Sequence, residues 1–355
     1  MPDARDMGRT ALTADVIKDR ALVLGFDVCG IAPAGAFPEL GFLREWIDLG
    51  YSGDMRYMTR TADRRADVRD VLPSARSVIV VAVVYHVDRP YSTEVADPGE
   101  ALIARYAWGS DYHQVMGERL ESLLSDMRAR SAEPFAARAY VDTGPVQERV
   151  YAQYAGIGWI GKNTCVINSD RGSWLLLGEI ITSLLLTPDQ PALDQCGTCT
   201  LCLEACPTGA IVEPWVLDAT RCLSYLTIEL RGAIPEEQRE ALGSHVFGCD
   251  ICQDVCPWNH SPARTEHVEW MPKPEFDRPR LADLWKRSDA ELDALLQGSA
   301  MSRAGLIGLR RNLAVAMGNA GLDPASLEPE VATGRDSVTD PMVREHVQWA
   351  AHKMR

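Results

Sequence analysis

Hydrophobic and polar positions switch between two periods along the chain. Residues 11–25 place apolar side chains at helical spacing and close on Gly25, which predicts an amphipathic helix. A short apolar piece over residues 28–31 and Pro33 precede a second helix across 40–49. Residues 77–85 are β-branched on both faces, the pattern of a central strand covered on two sides. Helical spacing returns over 111–130, a strand follows at 136–141, and 174–186 supplies one or two more strands. Residues 188–191 read as a linker. Beyond Pro257 a proline-rich stretch spaces off a helical tail. There Ser288-Asp-Ala-Glu291 forms a capping box opening one helix, with further helices over 302–319 and 340–354. The small-residue packing of 310–321 and the similar unit from Asp340 predict stacked helical repeats, too few to stand alone.

Between the linker and the tail the periodicity gives way to cysteines. Residues 196–206 read Cys196-x2-Cys199-x2-Cys202-x3-Cys206-Pro207, and after Cys222 come Cys249-x2-Cys252-x3-Cys256-Pro257. Eight of the chain's ten cysteines lie in this stretch. Two-residue gaps let successive thiolates wrap one face of a cubane, and the x3-Cys-Pro turn sends the next to a second cluster. The spacing therefore assigns Cys196, Cys199, Cys202 and Cys256 to one [4Fe-4S] cluster, and Cys206, Cys222, Cys249 and Cys252 to the other. Four-cysteine zinc sites share the paired spacing but require neither the run of four nor the repeated Cys-Pro ending. A disulfide framework does not suit a chain of this length without a secretory signal.

At 355 residues, 46% hydrophobic and 24% charged, the chain suits two or three domains. We expect an α/β domain over 1–190, a ferredoxin-like domain with two clusters over 191–262 and a helical domain over 263–355. The most hydrophobic stretch is cut by Glu179, so no membrane span is expected. Residues 1–6 carry no signal-peptide core, and with the thiolate clusters this predicts a cytoplasmic protein. A formal charge of −14 argues against indiscriminate nucleic-acid binding, but two local basic faces remain. One comprises Arg56, Arg60, Arg64, Arg65, Arg69 and Arg76; the other, Arg303, Arg310 and Arg311. Solvated helix charges are the simpler reading of both.

Two further motifs bear on chemistry. Asp142 ends a strand before Gly144-Pro145, with a helix expected to begin near Val146; it suits a ligand-facing carboxyl or a helix cap. Gly156-Ile-Gly158-Trp-Ile-Gly161-Lys162-Asn163 matches a dinucleotide fingerprint, but in the wrong context: a helix precedes it and a strand follows. Asn163 also stands where a P-loop needs Ser or Thr. We read it as a backbone turn admitting a large flat ligand. Adjacent clusters make an electron wire, and some 190 residues ahead of them exceed what a simple carrier needs.

The motifs Arg105-Tyr106-Ala-Trp-Gly-Ser-Asp-Tyr-His113, Asp142-Thr-Gly-Pro, residues 156–164, Leu177-Gly-Glu-Ile, the cysteine run, residues 224–231 and residues 248–259 together resemble the epoxyqueuosine reductases over nearly the whole chain. Cys165 departs from the pattern. The resemblance implies a cobalamin-dependent enzyme, with a HEAT-like repeat tail, that removes the epoxide oxygen from epoxyqueuosine at the tRNA wobble position. Electrons would pass from the clusters to cobalt, with Asp142 as general acid, its pKa raised by burial beneath the corrin. It further implies cobalamin contacts at Arg65, Arg105, Tyr106, Asp142, Ser224 and Asp250. RNA contacts would come from Arg231, Arg310 and Arg311, and the donor would be flavodoxin- or ferredoxin-like. His113 is a candidate cobalt ligand, although the simpler role is a hydrogen bond at a helix start. We expect a monomer. The competing classes are a reductive dehalogenase-like enzyme for small molecules and a dicluster electron carrier.

Overall fold

The structure is a computed structural model that describes residues 12–324 and 334–353. Residues 1–11, on which the expected lack of an export signal rests, and Met354 lie outside the described residues.

The first part runs α1 (Ala14–Val23), β1 (Val28–Pro33), α2 (Pro38–Asp48), α3 (Arg56–Ala66), β2 (Ser77–Val84), the two-residue β3 (Leu102–Ile103) and α4 (Tyr112–Arg130). It continues through β4 (Ala137–Tyr140), α5 (Glu148–Tyr154), β5 (Trp159–Ile160), β6 (Val166–Ile167) and β7 (Leu175–Thr182). Four strands form one sheet in the order β1-β2-β7-β4, with every neighbouring pair antiparallel. β2 is central and buried at all positions, as its β-branched run implies. Its alternate residues serve two cores. Ile79, Val81 and Val83 pack under α1 and α4, and Val78, Val80 and Ala82 pack under α5. Each such valine contributes about 1.5–3 kcal/mol of burial, an upper bound for a real unfolded chain.

One row across the sheet fixes the later chemistry. Gly30, Val80, Glu179 and Tyr140 are successive register partners, and partners in a sheet share a face. That face is covered by α5. A Cβ on Gly30 would sit 2.0 Å from the Ala155 carbonyl oxygen at the end of α5, so only glycine lets helix and strand meet there. Helix α5 begins at Glu148 rather than near Val146. The loop before it is held out of helix by Arg65, which donates to the Val146 carbonyl at 2.7 Å. Gln147 helps, donating to the carbonyls of Leu40 and Arg65.

The second part carries α6 (Leu201–Ala205), the hairpin β8 (Ile211–Glu213) and β9 (Val216–Leu217), α7 (Glu236–Arg239), β10 (His245–Phe247) and α8 (Ile251–Asp254). β10 pairs in parallel with β3, so this part is stitched to the first by main-chain bonds. The tail comprises α9 (Leu281–Lys286), α10 (Asp289–Leu296), α11 (Gly305–Asn319) and α12 (Pro341–Lys353). Ser288 and Glu291 form the expected capping box. At Gly318 a Cβ would come within 2.7 Å of the Ala350 Cβ, which lets α11 and α12 pack closely. Tail side chains share a core with Ile103, Trp108 and Phe247. No helix among the described residues is long and apolar enough to cross a membrane.

Candidate functional site

A cavity of about 1750 Å³ opens between the end of the sheet, α3, the start of α4 and the chain around Ser224. Pockets for drug-sized ligands usually hold about 300–1000 Å³, so this one suits a larger guest. Arg65, Tyr106, Asp142 and Ser224 line it together, with Arg231 nearer its rim. The apolar wall includes Phe42, Leu43, Val146 and Ile228.

Asp142 sits at the tip of a three-residue turn, closed by the Thr143 amide donating to the Val141 carbonyl at 2.5 Å. Its φ is +57°, in the left-handed region that only a few residue types tolerate. Strained backbone of this kind concentrates at functional sites. The Tyr112 hydroxyl donates to Asp142 Oδ2 at 2.9 Å, and His113 Nε2 lies 3.4 Å from the same oxygen. Nδ1 of His113 is 2.8 Å from Asp111 Oδ1, and Asp111 also caps α4 by accepting the His113 amide. His113 is thus committed at both nitrogens, as its helix-start hydrogen-bond role requires. Burial lowers its pKa, but bonds to Asp142 and Asp111 outweigh this and hold it above the usual value.

The raised pKa expected of Asp142 concerned burial beneath a corrin; the chain's own groups act in the other direction. The bond from His113 pulls it down, burial opposes, and Tyr112 adds to the lowering, leaving the carboxyl below its ordinary range. The neighbouring Glu148 goes the other way: burial, then the Asp142 charge, push it up to about 8 against Arg149 and Arg65.

Several expected contacts lie elsewhere. Arg105 is buried behind the cavity wall, donating to the carbonyls of Val87, Arg89 and Pro90 between the rings of Tyr91, Trp108 and Trp174. Asp250 is buried beside it and accepts the Arg105 amide at 2.8 Å. Neither lines the cavity, so the structure does not bring these two expected cofactor contacts to it: Arg105 ties down residues 87–90 and Asp250 holds the Arg105 amide. Arg310 and Arg311 are corrected as RNA contacts, being 0% and 1% exposed. Arg310 donates to the carbonyls of Trp285 and Arg287 within the tail. Arg311 donates to the carbonyls of Leu226, inside a π-helical turn over Tyr225–Glu229, and of Leu230 and Gly232 just after it. That turn forms one side of the cavity, and π-turns recur at functional sites. Removing Arg311 strands buried carbonyls, so Arg311→Ala should cost about 2–5 kcal/mol of stability in urea unfolding. An unchanged midpoint would show that the π-turn stands without it.

The eight cysteines of the second part form no disulfides, Cys256 being buried and the others half-buried. Their electrostatic neighbours fall into two groups. Cys202 feels Cys196 and Cys199, and Cys256 feels Cys196 and Cys202. Cys249 feels Cys222 and Cys206, and Cys252 feels Cys249 and Cys222. Among the described residues no three His, Cys, Asp or Glu side chains converge closely enough to hold a single metal ion. Thiolates at the corners of a cubane stand wider apart than those bonded at about 2.3 Å to one zinc. The Gly156–Asn163 segment reaches the cavity at Ile160, with Thr164 just beyond it, and it also serves the cysteine-bearing part of the molecule. A Cβ on Gly158 would meet the Ile167 carbonyl oxygen at 2.3 Å, so that glycine closes the β5–β6 hairpin. Lys162 then donates to the carbonyls of Gly197 and Cys199 at 2.6 and 2.9 Å, and Asn163 to that of Cys252 at 3.2 Å. Sequence reasoning missed these anchors. Their signal was a lysine and an asparagine in a turn with no phosphate to bind.

Known proteins were compared with this geometry. Residues 65–143 match the family model described as epoxyqueuosine reductase QueG, DUF1730, and residues 195–259 match that of a 4Fe-4S double cluster binding domain. An epoxyqueuosine reductase of Pseudomonas aeruginosa is 41% identical, covering 97% of this chain and 95% of its own length. That of Escherichia coli is 38% identical over 95% of this chain and 88% of its own. Among solved structures, an epoxyqueuosine reductase with an epoxyqueuosine-modified tRNA-Tyr stem loop superposes with TM-score 0.83, at 32% identity and coverage of 96% and 89%. One from Bacillus subtilis, with an aspartate catalytic loop swung out of the active site, gives 0.82 at 31% identity and coverage of 96% and 90%.

Proposed function

Because the chain belongs to the epoxyqueuosine reductase family, we propose that it removes the epoxide oxygen of epoxyqueuosine at the wobble position of tRNA, leaving queuosine. The observation that carries this reading is the cavity itself: it brings a turn bearing a carboxyl, Asp142, against the part of the chain that holds the thiolates. A relative's aspartate catalytic loop that can swing out suits the strained turn at Asp142.

The residues present fit the groups this reaction uses. Two sets of four thiolates, Cys196, Cys199, Cys202 and Cys256, and Cys206, Cys222, Cys249 and Cys252, would hold the two [4Fe-4S] clusters. The cavity would hold cobalamin, with Arg65, Tyr106 and Ser224 on its walls and Phe42, Leu43 and Val146 against its apolar surface. When bound, these groups supply low-potential electrons and a nucleophilic cobalt. Everything else falls to the chain. Arg65 bonds to the Val146 carbonyl and to Thr61 Oγ1, holding the cavity wall. Tyr112 and His113 aim Asp142 at the epoxide oxygen, where a leaving alkoxide needs a proton. A ring filling the cavity would strip water from Asp142 and so strengthen its hold on a proton passed to it.

For tRNA, the exposed Arg56, Arg60 and Arg64 of α3 stand at the cavity with Arg303 and Arg231 across from them. This leaves the first basic face as the approach to the site. The target base must be unstacked to enter. Affinity should fall as salt rises, and the double variant Arg60→Glu, Arg64→Glu should flatten the log–log slope by about 1–2. An unaltered slope would remove α3 from the interface. Arg303 is held by Glu229 through two bonds, at 2.9 and 2.8 Å, which shapes the rim.

The finer organisation follows the same reading: boundaries near 190 and 262, a HEAT-like tail, a flavodoxin- or ferredoxin-like electron donor and a cytoplasmic monomer. An anaerobic assay on epoxyqueuosine-containing tRNA tests the function, with and without cobalamin, read by nucleoside mass spectrometry. Queuosine should form only when cobalamin and a low-potential reductant are both present. Unchanged epoxyqueuosine under those conditions would contradict the proposal.

A further inference from the structure

Removing an epoxide oxygen to leave an alkene breaks two C–O bonds, takes up two electrons and two protons, and releases the oxygen as water. A low-potential donor supplies the electrons. The protons have to come from the walls of a site that the nucleoside fills. Asp142 alone does not answer this, because His113 and Tyr112 hold it below the usual carboxyl range and it is ionised at neutral pH. The question is where its proton waits.

Three carboxyl groups converge on α5. Glu148, at the first position of the helix, lines the same cavity as Asp142, and the Asp142 charge acts on its carboxyl. Behind it, Glu179 lies in the sheet row beside Tyr140, on the face that α5 covers. It is 0% exposed, and neither carboxylate oxygen has a hydrogen-bond partner in the structure. An ionised carboxylate so placed would cost several kcal/mol at least, so Glu179 is neutral. The groups facing Glu148 are Asp142 from the turn after β4, Arg149 on α5, Arg65 on α3 and Glu179 on β7. Burial and the Asp142 charge outweigh the two arginines, so a proton resides on Glu148 near neutral pH.

We propose that Glu148 stores the proton that Asp142 delivers, the two carboxyls acting as one unit across the turn. This rests on the reaction proposed above. Glu148 first passes its proton to the ionised Asp142, and as the first C–O bond breaks the oxygen takes that proton from Asp142. A developing alkoxide is far more basic than either carboxylate, so the transfer runs downhill. His113, bonded to the same Asp142 oxygen, holds the second proton, which leaves with the oxygen as water. Both residues refill from solvent once the nucleoside departs. Glu148 therefore acts through Asp142, and Glu179 keeps its surroundings too apolar for a resident charge.

The proton store is read directly by infrared difference titration of the full chain with its clusters and without cobalamin. A protonated-carboxyl band should disappear as pH rises through about 8 and be missing in Glu148→Gln. The same band in Glu148→Gln, or none at pH 7 in the unaltered chain, overturns the proposal. In single-turnover reactions of the holoenzyme, the rate should fall about 10-fold per pH unit above that point. Glu148→Gln should be slower by about 10-fold or more and lose this limb, with partial recovery in Glu148→Asp. A Glu148→Gln enzyme with the original rate and pH profile also overturns it. Should Glu148→Gln fail to fold, a band unmoved by Glu148→Asp has the same force. An unaltered chain that shows the band but converts no nucleoside contradicts the reaction and the delivery step, whereas a missing band contradicts the store alone.

Discussion

Asp142→Asn should lower turnover by about 10²–10⁴-fold while the chain keeps its iron and binds cobalamin as before. Asparagine matches the shape of aspartate and tolerates a left-handed φ, so the turn at +57° survives. Its amide still bonds to Tyr112, yet it can neither take nor give the proton. Stopped-flow reduction and nucleoside analysis on one preparation separate the two effects. Full turnover in the variant would remove Asp142 from the proton path, and with it the meaning of its bonds to His113 and Tyr112. The pH dependence carries the matching sign. Glu148 has its pKa raised in the folded chain, so its proton is in place below about 8 and lost above it. The descending limb belongs to Glu148 and not to Asp142, whose pKa is shifted downward.

The second large effect lies at Cys256. It reaches the first cysteine run from the far end of the cluster segment, and it is the buried thiol of the eight. Its side chain packs with Trp159, Trp258 and Cys196. Cys256→Ala should remove one of the two clusters, halving the iron, and abolish turnover, because the electron path is cut. It should also loosen residues 196–256, since metal binding in such loops is itself folding free energy. Iron analysis and hydrogen exchange of the reconstituted variant check both. Full iron with normal protection would mean that another group completes the cluster, with Cys165, whose charge acts on both Cys252 and Cys256, the spare thiol for that role.

Much of this was legible in the residues. The cysteine spacing alone announces two [4Fe-4S] clusters, because cubane ligation imposes a repeat that few other chemistries need, and the ligand sets proposed above follow from it. The buried run at 77–84 reads as a covered central strand, and it is one. That its neighbours are all antiparallel could not be read, since burial on two faces removes the alternation that would reveal pairing. Arginines misled most. Arg105, Arg310 and Arg311 look like surface charges in a string of letters, but each is buried and satisfies carbonyls that loops and a π-turn leave open. Glycine-rich residues 156–163 were legible only in part: Ile160 does line the cavity, but the polar side chains serve elsewhere. Their spacing imitates a phosphate loop, and their use is to close a hairpin and to hold Gly197, Cys199 and Cys252 by the carbonyl oxygens. Glu179 was read as an interruption in an apolar run, and only the sheet register shows it beneath α5, one row from the Asp142 turn. Long-range contacts of this kind leave no local pattern.

The arrangement as a whole is tested most directly by anomalous diffraction from crystals of the reconstituted chain, collected at the iron and cobalt edges. We expect iron density centred among Cys196, Cys199, Cys202 and Cys256, and again among Cys206, Cys222, Cys249 and Cys252, with cobalt inside the cavity facing Asp142. Iron shared differently between the thiols, or cobalt bound away from that cavity, would contradict the account.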